Sequence, residues 1–332
     1  MIRDSSDQTD ERILRQSVEQ IVADRFGNLS LIERVERRRH AYISSYDCEL
    51  ITVHLSTGKE FTLFLKDYRV SQKSKDQPEL RRERELLVYR DLLAQTELGT
   101  PEYYGSVWDS SAGRFWILLE FVDGFVVQHQ DVEYVLLAAE WLGGMQGFFN
   151  QHQEMLSACG VLIRQDGAFF RNKAEQALWN VSQISPSLAR RLSEIVDGYA
   201  QVIEVLEAQP RSLVHGGYIP WHILVDVQHR PVRVCAVDWE SAALGPTLYD
   251  LAYFTHEMEP SSRDRVLDVY RRAALQHSVP TSDRTQMRFV VDCLRIHRIF
   301  DWLSRGLEKH FSETKVAELV GQAEQLARSV LS

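Results

Sequence analysis

The chain has 332 residues, 44% hydrophobic and 26% charged, which is ordinary globular composition with enough apolar side chain for one large domain or two lobes. A formal net charge of −9 argues against a nucleic-acid binder, because that affinity comes largely from a basic excess that neutralises phosphates. The four cysteines, Cys48, Cys159, Cys235 and Cys293, share no metal-ligand spacing, and a chain of this length needs no disulfide framework.

The polar, acidic start is no secretory signal, and no apolar run reaches membrane-spanning length. Cytoplasmic residence without a membrane partner is therefore expected. Basic residues are dispersed except at Arg37 to His40 and at Arg81, Arg82 and Arg84. Arg37, Arg38 and Arg39 are read as a solvated face.

Residues 1–10 are expected to be a loose end. From residue 11 to 26, Ile13, Leu14, Val18, Ile21 and Val22 recur at helical spacing. Strands are predicted over 48–55 and 61–66, joined by the turn Ser56-Thr57-Gly58-Lys59, a hairpin signal. A preceding strand is placed at about 33–43. Helical periodicity returns over 79–94, and strands follow near 103–108 and 114–121. Helices dominate after residue 131, over 131–150, 187–208, 262–277, 284–304 and 313–331, with short strands embedded in 212–238. The expected fold class is α+β and bilobal. An antiparallel-sheet lobe with one inserted helix (1–122) precedes a larger, mainly helical lobe (123–332), with a hinge near 120–124.

The chemistry concentrates in 213–226, Leu-Val-His-Gly-Gly-Tyr-Ile-Pro-Trp-His-Ile-Leu-Val-Asp, and in 237–240, Val-Asp-Trp-Glu. These segments resemble the aminoglycoside-phosphotransferase and choline-kinase superfamily, relatives of the protein kinases. That family usually carries His-Gly-Asp, four residues, Asn and an apolar strand, then a second apolar strand ending in Asp. The resemblance extends over nearly the whole chain, because its other pieces occur in the family's order.

The resemblance implies a protein-kinase-like fold that binds ATP, or another nucleoside triphosphate, with Mg or Mn. Lys66, at the end of an apolar strand, stands where the family places its phosphate-contacting lysine, and Glu85 matches the helix glutamate that fixes it. Taken singly, each reads better as a surface charge; their order and context favour the phosphate role. Ser44 and Ser45 fall where a nucleotide-covering loop belongs, although an ordinary hairpin turn explains them as well. Residues 117–124, with Glu120 and Val122, resemble the hinge whose main chain reads adenine. Asp238 matches the metal-binding aspartate. Glu240 joins it on one side if the chain stays extended, since side chains alternate along a strand, and carboxylates suit magnesium. Asp250 and His215 imply structural bracing of the catalytic loop.

Two positions depart from the family. Gly217 stands where the catalytic aspartate belongs, and His222 where the metal-binding asparagine belongs. A lost general base costs roughly 10²–10⁴-fold in rate, yet phosphoryl transfer depends mainly on positioning and charge neutralisation. Imidazole is a poor magnesium ligand and suits a softer divalent metal. Glu240 could take the second metal position, Tyr218 or His222 could orient an acceptor, or a partner protein could complete the site.

Two functions remain in contention. One is an atypical phosphotransferase acting on a hydroxyl of a small molecule or peptide. The other is a pseudokinase that binds nucleotide or peptide and scaffolds or activates a partner enzyme. A kinase-fold protein that binds no nucleotide is a third, opposed by the retained Lys66, Glu85 and Asp238. Trp141, Phe148, Phe149, Phe169, Phe170, Trp179 and Trp302 either line an acceptor cleft or fill the core, and their helical spacing favours core.

Overall fold

A computed structural model describes residues 5–27, 31–40, 45–71, 76–127 and 132–331. By contact the chain divides into two compact units, residues 1–124 and 125–332.

The first unit is built on a five-stranded antiparallel sheet. Its strands are β1 (Ile32–Arg39), β2 (Tyr46–Leu55), β3 (Glu60–Ser71), β4 (Tyr103–Asp109) and β5 (Arg114–Glu120). They lie in the order β1-β2-β3-β5-β4. The β2–β3 hairpin closes at the expected turn, where Gly58 has a φ of 76°, a conformation that costs a side chain dearly. The first strand ends at Arg39, short of the expected boundary.

Helix α1 (Ser5–Phe26) packs its apolar stripe, Leu14, Val18, Ile21 and Val22, against Ile51, Val53, Leu63, Trp116 and Leu118 of the sheet. It begins within the stretch expected to be loose. The reason is tertiary: the Asp10 carboxylate accepts from Arg114 Nε and Nη2 at 2.9 and 2.7 Å and pairs with Arg69. Such charge-assisted bonds anchor a polar terminal segment that has no apolar periodicity of its own.

Helix α2 (Pro78–Leu87) opens with Pro78 at its first turn, where the missing N–H is no loss. It passes into a π-turn (Val88–Leu92) and a 3₁₀ turn (Leu93–Gln95), so the single helix expected over 79–94 is three pieces. Of its basic cluster, Arg84 is buried, and the Arg82 guanidinium stacks 3.5 Å from the centroid of the Phe115 ring.

The second unit is mainly helical. Helix α3 (Val132–Gln151) is followed by α4 (Gln153–Ala158), α5 (Gly167–Ile184), α6 (Pro186–Glu207), α7 (Tyr249–Phe254), α8 (Pro260–Gln276), α9 (Arg284–Leu303) and α10 (Glu313–Val330). Helices α3 and α8 touch at Gly143, where a Cβ would lie 2.9 Å from the Ala273 Cβ; only a glycine admits that approach. Phe149 and Phe170 are core, whereas Trp179 is 60% exposed. Among the described residues no helix is long and apolar enough to cross a membrane.

Two small sheets hold the loops of this unit. One contains β6 (Phe125–Val126), β9 (Ile223–Asp226) and β10 (Arg233–Ala236), in the order β10-β9-β6. The other contains β7 (Ile163–Arg164), β8 (Arg211–Val214) and β11 (Ala243–Pro246), in the order β7-β11-β8. Val214 pairs with Ala243 and Ile223 with Ala236. The loop between β8 and β9 therefore starts and ends beside the loop between β10 and β11. Pairing brings together two segments some twenty residues apart in sequence.

Candidate active site

In the first unit, Lys66 of β3 donates Nζ to both carboxylate oxygens of Glu85 on α2, at 2.9 and 2.7 Å. Both are buried, at 6% and 1% exposure, and the ammonium lies 5.2 Å from the centroid of the Tyr68 ring. Burying two charges is costly unless they pair with good geometry. This pair, brought together across nineteen residues, is therefore no incidental surface contact. At the end of β5, the Glu120 N–H donates to the Glu102 carbonyl at 2.8 Å, and the Val122 carbonyl accepts from Gly124 N–H at 2.9 Å. Ser45 is half-buried just before β2, and Ser44 lies outside the described residues.

In the second unit, the loop after β8 is braced from within. Asp250 on α7 accepts the backbone N–H of His215 at 2.8 Å and that of Gly216 at 3.0 Å. Burial pushes its carboxyl up to about 7, against the opposing effect of those two donors. The His215 ring donates Nε2–H to the Val237 carbonyl at 2.9 Å and accepts Gly217 N–H on Nδ1 at 3.2 Å. It is buried against Trp239, with ring centroids 4.5 Å apart, and burial followed by the neighbouring His222 lowers its pKa to about 3. A neutral imidazole bonded at both nitrogens is a brace, not a base.

Gly216 has a φ of 76°, and a Cβ there would lie 2.1 Å from the Ser241 carbonyl oxygen. Gly217 differs: a Cβ there would meet only His222 Nδ1 at 3.5 Å and His215 Nδ1 at 3.7 Å, ordinary contacts. The loop keeps room for a side chain at position 217.

His222 is tied to the same loop, its Nδ1 lying 2.8 Å from the Gly217 carbonyl. A carbonyl only accepts, so Nδ1 carries a proton, and the other ring nitrogen is Nε2. That atom is 3.5 Å from Asp238 Oδ2. Asp238 itself is left-handed, with φ 69° and ψ 62°, and opens a 3₁₀ turn over Trp239–Ser241. The extended path expected to align Asp238 and Glu240 thus ends at Asp238. The tight turn performs the task instead, leaving the two carboxylates within 4.8 Å of one another. The two carboxylates offer a divalent cation the oxygen ligands that magnesium prefers, and the His222 ring stands beside Asp238.

Sequence reasoning missed the carbonyl of Ser241 that makes Gly216 obligatory. Tyr218, named there as able to orient an acceptor, instead donates its hydroxyl to the Ala138 carbonyl at 2.8 Å. Buried and committed to the main chain of α3, Tyr218 is not available to orient an acceptor.

The model of the phosphotransferase enzyme family matches residues 49–290. No curated protein matches the chain. Solved structures do. A GDP complex of a mutant aminoglycoside 2'-phosphotransferase-IIIa has a TM-score of 0.62 at 17% identity, covering 96% of this chain and 99% of the other. Macrolide 2'-phosphotransferase from Brachybacterium faecium gives 0.56 at 15% identity, with 92% and 98% covered. Ethanolamine kinase from Plasmodium vivax gives 0.58 at 13% identity, with 100% and 95% covered. At these identities the likeness is one of fold.

Proposed function

Because the chain belongs to the phosphotransferase enzyme family, we propose that it binds ATP, or another nucleoside triphosphate, with Mg or Mn, and transfers the terminal phosphoryl group to a hydroxyl without a carboxylate base. The acceptor is a small molecule or peptide, and the setting the cytoplasm. The observation that carries this reading is the buried Lys66–Glu85 pair. An ammonium held by a carboxylate in a low-exposure site is costly to keep, and stabilising phosphate charge is the work such a pair does in this family of folds. Structures of similar fold that hold GDP support a nucleotide site.

In this reading Lys66 neutralises phosphate charge and Glu85 fixes its direction. The Glu120 carbonyl and Val122 amide read the adenine edge, with Ser44 and Ser45 covering the phosphates. Asp238 and Glu240 hold the cation, which when bound offsets charge on the phosphate oxygens. His215 and Asp250 keep the loop in shape, so the acceptor site survives even though Gly217 offers no base. Positioning then supplies most of the acceleration, at a rate lowered by roughly 10²–10⁴-fold relative to a loop with a base.

A second reading, a pseudokinase that binds nucleotide or peptide and scaffolds or activates a partner, is favoured by one observation: both departures, Gly217 and His222, bond to each other and close the loop on itself. The test is ATP binding by thermal shift with Mg or Mn, followed by a turnover assay on the unmodified chain, Asp238→Ala and Gly217→Asp. Metal-dependent transfer lost in Asp238→Ala supports the phosphotransferase. Binding without turnover, with transfer appearing in Gly217→Asp, supports the pseudokinase. No nucleotide binding under any condition overturns both.

A further inference from the structure

Downstream of the metal loop the chain gathers cations that the proposed phosphoryl transfer does not use. His256 lies in the turn after α7, Arg263 in the first turn of α8, and Arg295 and Arg298 on adjacent turns of α9. Arg298 is 6% exposed. Its guanidinium is stacked 4.8 Å from the Tyr253 ring centroid and 5.0 Å from that of Trp302, and its Nη1 donates to the Tyr253 carbonyl at 2.8 Å. The His256 ring packs on Trp302 as well, with centroids 5.6 Å apart.

Four polar atoms of this group are buried without a hydrogen-bond partner among the described residues: the Nε atoms of Arg263, Arg295 and Arg298, and Nδ1 of His256. Three of the four are obligatory donors. Buried donors normally find acceptors, and each exception calls for an explanation.

The charges do not balance locally either. Arg295 pairs with Asp292 at 2.9 Å, Lys315 of α10 with Glu318 at 2.9 Å, Arg288 with Asp264, and Lys173 and Arg305 with Asp301. Neither Arg263 nor Arg298 forms an ion pair with a carboxylate among the described residues, and desolvation lowers the pKa of both. After burial itself, Arg298, Arg295, Arg263 and Lys315 together lower His256 to about 4. Asp292 and Asp264 act on Arg263, and Glu257 and Asp301 on Arg298, from beyond ion-pair distance, so the two guanidiniums keep buried donors that an anionic group can accept.

We propose that His256, Arg263, Arg295, Arg298 and Trp302 form a binding site for an anionic group, a carboxylate or a phosphate, carried by the acceptor. The planar guanidinium fork suits both anions, and Tyr253 and Trp302 hold the Arg298 plane in one orientation. The location suits an acceptor. Asp250, which braces the Gly217 loop, and His256 are six residues apart across α7, on the order of 9 Å at helical rise. An acceptor of several carbons with an anionic end is of that order of length. The acceptor role rests on the phosphotransferase reading; the anion site itself does not.

The site is tested on the full chain by calorimetric titration with inorganic phosphate and with D-glycerate, using choline and glycerol as cationic and neutral comparisons. ATP affinity is measured in parallel. Expected is binding of phosphate, D-glycerate or both, weakened at least about tenfold in Arg298→Gln and in Arg263→Gln, as loss of a charge-assisted bond requires, with ATP affinity unchanged. Which anion binds more tightly separates a phosphorylated acceptor from a carboxylic one. Arg263 is only half-buried, so Arg263→Gln decides the matter where Arg298→Gln fails to fold. Anion affinity that is absent, or unchanged in Arg263→Gln, or matched by choline or glycerol, overturns the proposal. Arg263-dependent phosphate binding in a chain that binds no ATP keeps the anion site and removes the phosphotransferase reading; ATP binding without anion binding does the reverse.

Discussion

Asp250 accepts the main-chain N–H groups of both His215 and Gly216, one on each carboxylate oxygen, at 2.8 and 3.0 Å. An asparagine offers one acceptor and turns a donor toward the second N–H; alanine satisfies neither. At about 1–3 kcal/mol per buried unsatisfied donor, Asp250→Asn is expected to lower stability by about that amount and Asp250→Ala by about twice as much. Urea midpoints that leave the two variants equal to the unmodified chain would contradict the bracing role.

The adjacent glycines separate two kinds of constraint. Gly216→Ala drives a Cβ into the Ser241 carbonyl from a left-handed backbone, so a loss of about 3 kcal/mol or more and a clear fall in Tm are expected. Gly217→Ala meets only ordinary contacts and should change stability by less than about 1 kcal/mol. Gly217→Asp is expected to fold as well, which makes it a usable probe of the missing base.

Removing Lys66 alone takes the ammonium from both oxygens of the Glu85 carboxylate in a site of 1% exposure. Lys66→Met is expected to cost about 3–5 kcal/mol and to abolish ATP binding. Lys66→Met combined with Glu85→Leu should recover most of the stability and none of the nucleotide affinity. Thermal shift read with and without ATP distinguishes the two losses, and full nucleotide affinity in the double variant would remove Lys66 from the site.

Acid should destabilise the second unit. Burial lowers His215 to about 3, and both His256 and His297 to about 4. A base with a depressed folded pKa contributes stability that is present above its unfolded pKa near 6.5 and is lost as pH falls through the folded value. Asp250, raised to about 7, acts in the opposite sense between about pH 4 and 7, one group against three. For His297, whose Nδ1 faces the Tyr199 hydroxyl at 3.2 Å, the effect from pH 7 to pH 4 is on the order of 3 kcal/mol. His297→Phe should flatten the fall in Tm over that range; an unchanged profile would show that His297 does not titrate there.

What could be read from sequence was whatever repeats along a single element. The β2–β3 hairpin announced itself by alternation and by Gly58, and α9 and α10 by apolar spacing. What escaped depends on distant partners. The first turns of α1 are fixed by Arg69 and Arg114 acting on Asp10, and Glu240 reaches Asp238 through a left-handed residue that no propensity marks. Lys66, Glu85 and Asp238 were singled out because their order resembles a family's. The cations at 256–298 were not, because helix packing alone brings them together, and a dispersed arginine carries no period.

The arginines of β1 bear a consequence of their own. That strand is one margin of the sheet, and its residues, Ile-Glu-Arg-Val-Glu-Arg-Arg-Arg, are mostly exposed. An outermost strand offers a row of amides and carbonyls to any extended segment of another chain. A second copy that extended the sheet in parallel, in-register fashion would set Arg37, Arg38 and Arg39 beside their own copies. Like charges set side by side oppose that growth. The stretch read as solvated surface thus carries the kind of charge that discourages edge-to-edge growth of a sheet.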